Sequence, residues 1–351
     1  MKEKKKILIC PLDWGLGHAT RCIPIIQELL TRGCEVRIAS SGHALALLKN
    51  EFPDLVFYTL TGYRPFYSTS ASLIIPLALQ MRKFVSAIKS EHVELAAIIR
   101  QDGIEMVISD NRFGCWSSIV PCVMITHQLN IQLPNWLSWA VNAVNRRYIK
   151  KFSACWIPDW QGANSLSGEL SANPTFPVDY LGPVSRFHKL DGVKKKYDIL
   201  AIISGPESQR TIFETIVRKE LKKSGKHALL VRGLPDFVER KTEGNLEEVN
   251  HLNSQELNQA ILESEIILSR PGYSTVMDLA KLGRRAIFIP TPGQTEQEYL
   301  GKELMRKKIA YNATQARFDL AEAMKASQDF TGFGPQDSNN LLQMAFDKLL
   351  I

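Results

Sequence analysis

The feature of this sequence that most restricts its fold is a repeated alternation of short apolar runs with stretches of helical spacing. Runs at 5–12, 34–40, 54–60, 104–110, 122–127 and 154–159 read as strands. After the first of them, Ile23, Ile26, Leu29 and Leu30 share one helical face that Gly33 closes. Parallel strands need a crossover between neighbours, and a helix supplies it while covering a face of the sheet. A polar, charged segment at 189–196 (KLDGVKKK) interrupts the series, and a second one follows. Its strands fall at 197–204, 227–231, 265–269 and 285–290, with helices near 207–222, 255–263, 273–281 and from 294 onward. The pattern predicts an α/β protein of two doubly wound, Rossmann-like domains facing a cleft, with ligands outside the carboxyl ends of the strands. The 351 residues suit two domains, expected at 1–185 and 186–351, with the last helix packing back on the first.

Composition narrows the class. With 45% apolar and 23% charged residues the chain is neither disordered nor fibrous. The longest stretch without Asp, Glu, Lys or Arg, 113–145, holds Pro121, Pro134, His127 and several Asn and Gln, polar groups that hydrocarbon would leave unsatisfied, so it does not read as a membrane span. Residues 1–6 are basic, but the apolar run behind them breaks at Asp13, too early for a secretory signal, and a cytoplasmic protein is expected. Six cysteines lie in the first half without a Cys-x-x-Cys pair, which suits reduced, buried thiols better than a metal site. The charge of +7 is gathered into short patches such as Arg146-Arg147 with Lys150-Lys151. No zinc-finger or RNA-binding motif accompanies them, so nucleic acid is not an expected partner.

Two loops carry the chemistry. The first strand runs into Pro11-Leu12-Asp13-Trp14-Gly15-Leu16-Gly17-His18, where Gly15 and Gly17 allow a tight turn or a close approach to a ligand and His18 stands at a helix start. The loop is neither a dinucleotide fingerprint nor a P-loop, lacking the third Gly of one and the Gly-Lys-Ser/Thr of the other. Histidine is the side chain that titrates near neutral pH, as a general base requires, although a histidine capping its own helix would occupy the same position. In the second half, Leu268-Ser269-Arg270-Pro271-Gly272-Tyr273-Ser274-Thr275 closes a strand and opens a helix that carries Asp278. Backbone N–H groups with the Ser274 and Thr275 hydroxyls make a phosphate cradle, Arg270 adds charge, and Asp278 is placed to accept from a ribose. A Ser or Thr N-cap with a first-turn acid would give the same letters. The loop after the next strand offers Gln294, Gln297 and Glu298, which suit sugar hydroxyls or a solvated helix start. No Asp-x-Asp occurs, so neither a metal bridging a diphosphate nor another cofactor is called for, and the leaving charge falls to helix N-termini, Arg270 and Arg210.

Taken in order, a Gly-x-Gly-His loop, an Arg-x-Gly-x-x-Thr run followed by an acid, and a Pro-rich loop with Gln and Glu resemble the GT-B glycosyltransferases, most closely family 28. Ser109-Asp110, Thr126-His127-Gln128 with Asn130, Leu181-Gly182-Pro183 and Ser204-Gly205-Pro206 extend the resemblance over nearly the whole chain. It implies an inverting, metal-independent transfer from a nucleotide-diphosphate sugar, UDP-linked and with N-acetylglucosamine a candidate, to a hydroxyl acceptor. It implies donor contacts at Gly205, Arg210, Arg270, Gly272, Ser274, Thr275, Asp278, Gln294, Gln297 and Glu298. Acceptor-side contacts fall at Gly15, Gly17, His127, Gln128 and Asn130, with His18 as base and Asp110 orienting the imidazole or contacting the acceptor. Asp278 in place of Glu, and Gln297-Glu298 in place of paired Gln, turn the reading from a peptidoglycan acceptor toward another glycolipid or cell-envelope precursor. In such enzymes the first domain often lies beside the bilayer, so the charge-free stretch 65–81, followed by Arg82 and Lys83, is expected either to touch the inner face of the membrane or to form a buried helix. The rival readings are a nucleotide-sugar 2-epimerase of the same architecture, a phosphorylase, and a non-catalytic nucleotide-sugar-binding protein, which would have no need of His18.

Overall fold

The computed structural model describes residues 4–63, 74–132, 135–234, 239–334 and 340–349, the side chains of 74–81 and 135–137 excepted. The stretch 65–81 therefore lies outside the residues whose side chains are described. The chain divides into two compact units: Met1–Asn164 with Glu169–Val184 and Asn339–Ile351, and Ser165–Gly168 with Ser185–Ser338.

In chain order the first unit comprises β1 (Lys6–Pro11), α1 (Leu16–Thr31), β2 (Glu35–Ser40), α2 (Gly42–Glu51), β3 (Val56–Thr59), α3 (Ile74–Asp102), β4 (Met106–Asp110), β5 (Cys122–Ile125), α4 (Asn135–Ile149), β6 (Ala154–Ile157) and β7 (Asp179–Tyr180). Among the described residues its sheet has the order β3-β2-β1-β4-β5-β6-β7, parallel throughout. Ile7, Ile9, Ile38 and Ile108 build the core on one face, and Leu8, Cys10, Val107 and Met124 on the other, as a two-residue period requires when both faces are covered. The winding reverses between β1 and β4, so their loops diverge and open a crevice there. Register sets Pro11 beside Asp110 at its floor.

The second unit follows the same plan with β8 (Tyr197–Ile202), α5 (Gln209–Ser224), β9 (Ala228–Val231), β10 (Arg240–Glu243), β11 (Leu246–Val249), α6 (Ser254–Glu263), β12 (Ser264–Ser269), α7 (Tyr273–Leu282), β13 (Ala286–Phe288), α8 (Thr295–Arg306), β14 (Tyr311–Asn312) and α9 (Leu320–Ala326). The sheet order is β10-β11-β9-β8-β12-β13-β14, with the reversal between β8 and β12. Sequence periodicity gives no sign of the antiparallel β10–β11 hairpin. β10 reads Arg-Lys-Thr-Glu, exposed at every position, and such a charged edge strand guards a sheet against pairing with another chain.

A last helix, α10 (Leu341–Lys348), belongs to the core of the first unit. Phe346 is fully buried, and its ring meets Trp156 edge-on with centroids 5.1 Å apart. Arg32 secures the next turn by donating to Asp347 at 2.7 Å. No described helix is long and apolar enough to cross a membrane. Truncating a buried Phe costs about 3–5 kcal/mol through lost transfer energy and the cavity left behind. Phe346→Ala is predicted to destabilise the first unit by that amount. All six tryptophans lie in that unit, so intrinsic fluorescence during urea unfolding reads the loss directly.

Candidate active site

At the carboxyl end of β1 the chain leaves the sheet with Leu12 N–H donating to Asp110 C=O at 2.9 Å. Gly15 takes φ 82° before α1 begins, a conformation other residues rarely adopt, and a Cβ there would meet nothing within 4 Å. Gly15 is thus required by the turn, whereas Gly17 already lies inside α1. His18, in the first turn, points back over the sheet. Its Nδ1 donates to Asp110 Oδ1 at 2.8 Å, and its side chain keeps 17% of its surface exposed. Asp110 is buried, and Arg21, one helical turn after His18, grips it through Nε to Oδ2 at 2.8 Å and Nη2 to Oδ1 at 2.5 Å. Burial pushes the Asp110 carboxyl up, but Arg21 and His18 outweigh it and hold the group well below the ordinary carboxylate range. With its proton turned toward Asp110, the His18 Nδ1 leaves Nε2 as the basic nitrogen.

His127 joins this cluster through Arg21, whose Nη1 lies 3.5 Å from its Nδ1. Gln128 follows in an ST turn, its N–H donating to Thr126 Oγ1 at 3.0 Å. Asn130, expected on the acceptor side, is committed elsewhere: its amide donates to Glu169 C=O and Ala172 C=O at 2.9 Å each and fastens two loops.

In the second unit, Gly205 after β8 has φ 122°, and a Cβ on it would lie 4.0 Å from both Thr291 Oγ1 and Arg210 N. Two hydroxyls that sequence reasoning passed over sit at neighbouring strand ends. Ser269 Oγ closes β12 and Thr291 Oγ1 follows β13; both are buried without a hydrogen-bond partner among the described residues. Buried polar atoms are seldom left unpaired unless something else satisfies them. Gly272 caps α7 with extended backbone and no side-chain cap, and no acid stands in the first turn, which removes the plain N-cap explanation of this segment. The first N–H groups of α7 stand beside partly exposed Ser274 and Thr275, and a helix N-terminus favours an anion.

The cations and amides expected to meet the donor are placed differently. Arg270 is 1% exposed and braces the β13 loop, donating to Ile289 C=O at 2.8 Å, Pro290 C=O at 2.9 Å and Gln315 Oε1 at 2.5 Å over the ring of Phe213. Burial lowers its pKa to about 10, the mark of a structural rather than a solvent-facing guanidinium. Arg210 is paired with Glu207 and Glu214 and donates to Arg232 C=O at 3.0 Å. Gln297 Oε1 accepts from Thr291 N–H at 2.8 Å and Glu298 Oε1 from Gly293 N–H at 2.9 Å, so both shape the loop instead of facing outward. Gln294, at the cap of α8, stays partly exposed. A guanidinium buried this deeply needs several acceptors, and sequence does not show which arginines find them. Arg186, which the sequence reading did not select although it lies three residues past Leu181-Gly182-Pro183, is within electrostatic range of both Asp278 and His251.

Residues 200–340 match the glycosyltransferase family 28 C-terminal domain. An uncharacterized glycosyltransferase of Methanosarcina acetivorans is 23% identical over 84% of this chain and 81% of its own length. A UDP-N-acetylglucosamine–N-acetylmuramyl-(pentapeptide) pyrophosphoryl-undecaprenol N-acetylglucosamine transferase of Pasteurella multocida is 24% identical over 87% and 83%. The chain is a glycosyltransferase whose residues 200–340 are similar to the family 28 C-terminal domain. Its GT-B fold is shared with MurG of Acinetobacter baumannii, at a TM-score of 0.60 and 14% identity over 99% of both chains, and with SnogD of Streptomyces nogalater, at 0.65 and 14% over 99% and 100%.

The transferase carries one titrating acid in the α7 segment. Crowding by protein atoms raises Asp278 to about 6, against the pull of the Ser185 hydroxyl, 2.5 Å from Oδ1, and of Arg186. An acid raised above its unfolded value of about 3.9 binds its proton more tightly in the folded state. Its contribution to stability is complete below about pH 4 and is lost as pH rises through about 6. Asp278→Asn, which carries no such proton, is therefore predicted to melt higher than wild type above pH 6, with the advantage vanishing below about pH 4. Thermal unfolding across that range without nucleotide checks it; an advantage independent of pH contradicts the account.

Proposed function

We propose that the transferase moves a sugar from a nucleotide-diphosphate sugar, UDP-linked and with N-acetylglucosamine the first candidate, to an acceptor hydroxyl with inversion and without a metal. The observation that carries this reading is the His18–Asp110 pair at 2.8 Å at the reversal point of the first sheet. His18 Nε2 takes the hydroxyl proton as the acceptor oxygen bonds to the anomeric carbon, the bond from that carbon to the diphosphate breaks, and the electron pair leaves on the diphosphate. A single displacement inverts the centre. On the donor side the leaving charge is met by the N-terminus of α7 and by Ser269 and Thr291, with Gly272, Ser274 and Thr275 around the phosphates and Asp278 near the ribose. Gly15, Gly17, His127 and Gln128 border the acceptor.

A lipid-linked acceptor is supported by the outer face of α4. Asn142 accepts from Ile131 N–H at 2.7 Å and Asn145 donates to Gln128 C=O at 2.8 Å, fixing the helix by its polar side. The opposite side holds Trp139, 79% exposed, and Val144, 46% exposed, with Arg147 and Lys150 at its end. Such a face suits the interface of an anionic membrane. The protein is predicted to sediment with phosphatidylcholine vesicles only when they contain phosphatidylglycerol, and Trp139→Glu to weaken that binding.

The test of the reaction begins with a thermal-shift panel of nucleotide diphosphates and their sugars, followed by transfer from the stabilising donor to a membrane-lipid extract. His18→Ala should lower turnover by roughly 10²-fold or more, with nucleotide affinity near wild type and no effect of chelator on the wild-type rate. Retained turnover in the variant, or loss with chelator, contradicts the mechanism. Sugar isomerisation without any acceptor would point to the epimerase instead.

A further inference from the structure

A buried charge that the proposed proton transfer does not itself use sits one helical turn after the base. Arg21 is 2% exposed, and the oxygen it binds through Nη2, Asp110 Oδ1, is the same one that accepts from His18. Nη2 also lies 3.0 Å from His18 Nδ1. A carboxylate only accepts, so the Nδ1 proton lies on the 2.8 Å contact to Asp110, and the approach of Nη2 is a contact between two donors, not a hydrogen bond. We propose that Arg21 is a positioning residue whose charge keeps His18 unprotonated in the resting enzyme, so that the imidazole is ready to take a proton rather than already holding one.

On the reading of His18 as the base, the charges round its ring have to balance. An imidazole beside a lone buried carboxylate is driven toward its protonated form, because an opposite charge at this range favours the cation by about 1–3 pH units. Asp110 is needed to orient the ring, so its charge has to be offset, and the bidentate Arg21 does so on the same two oxygens. Carboxylate and guanidinium together present no net charge to His18. Among the described residues, Cys22, Cys10 and His127 also face this cluster and leave the balance in place. On α1, Cys22 lies with Sγ 3.8 Å from Asp110 Oδ2, and burial followed by Asp110 pushes its thiol well up, so it stays neutral. Cys10, near the end of β1, lies beside Cys22. Past β5, His127 meets Arg21 through a nitrogen that has to accept.

The test reads His18 directly and needs neither donor nor acceptor, so its failure is separate from any failure of the transfer reaction. Diethyl pyrocarbonate acylates unprotonated imidazole; its reaction with His18 in the full-length protein is followed by peptide mass spectrometry from about pH 5 to pH 9. Relative to wild type, the midpoint for His18 should rise by about one pH unit or more in Arg21→Gln. It should stay near wild type in Arg21→Lys, which keeps the charge, and fall in Asp110→Asn, which leaves Arg21 unopposed. An Arg21→Gln midpoint that is unchanged or lower overturns the proposal. Should circular dichroism show that Arg21→Gln does not fold, Asp110→Asn decides, and an unchanged or raised midpoint there overturns it equally.

Discussion

The bidentate pair between Arg21 and Asp110 ties α1 to the carboxyl end of β4, and the geometry of the first crevice depends on it. Two charges shut away from water are tolerated only when each satisfies the other, and removal of one partner leaves an uncompensated charge that typically costs about 3–5 kcal/mol. The same contact fixes where His18 can stand, since the histidine shares an oxygen with the arginine. Stability and proton chemistry therefore meet in one carboxylate, and neither can be altered alone.

A second buried network holds the other flank of this loop. Arg112, fully buried past β4, donates to Pro11 C=O at 2.8 Å, Ser41 Oγ at 2.8 Å and Glu91 Oε1 at 2.6 Å, joining the ends of β1 and β2 to α3. Glu91 in turn accepts from Tyr63 at 2.7 Å and from Gly114 N–H at 2.8 Å. Burial raises the Glu91 carboxyl even against the pull of Arg112, which marks how dry the site is. A loop that must present a histidine in a fixed pose is thus clamped on both sides by polar groups that water does not reach.

Much of this architecture is legible in the letters. The alternation of apolar runs and helical spacing marks β1 to β6 and most strands of the second unit, because a strand buried on both faces cannot hide its composition. The short β7 and β14 and the charged β10 leave no such trace, since two-residue pairings and exposed edges need no apolar pattern. At the site, a Gly turn before His18 and a strand-to-helix junction at Gly272 stand out locally. Arg21 carries no local signal of its own, because its partner lies 89 residues away. Arg270 and Arg210 mislead for the converse reason: a positive residue near a helix start looks like a phosphate ligand until the carbonyls and carboxylates round it are known.

The displacement of those two arginines changes the physics of the proposed donor site. With Arg270 and Arg210 engaged in the protein, the groups near Gly205 and Gly272 are backbone N–H and the hydroxyls of Ser269 and Thr291, dipoles rather than formal charges. Dipoles fixed by the fold need no reorganisation when charge appears on a leaving diphosphate, and they interact most strongly where water is excluded. They also hold the departed product less tightly than a cluster of guanidinium groups would, because a full charge attracts the product dianion as strongly after reaction as during it. Transition-state stabilisation calls for interactions that are worth more at the top of the barrier than in the complexes on either side. On that criterion the burial of Arg270 serves the proposed reaction better than its exposure: it sets the loop that carries Thr291 and leaves the developing charge to groups that release it.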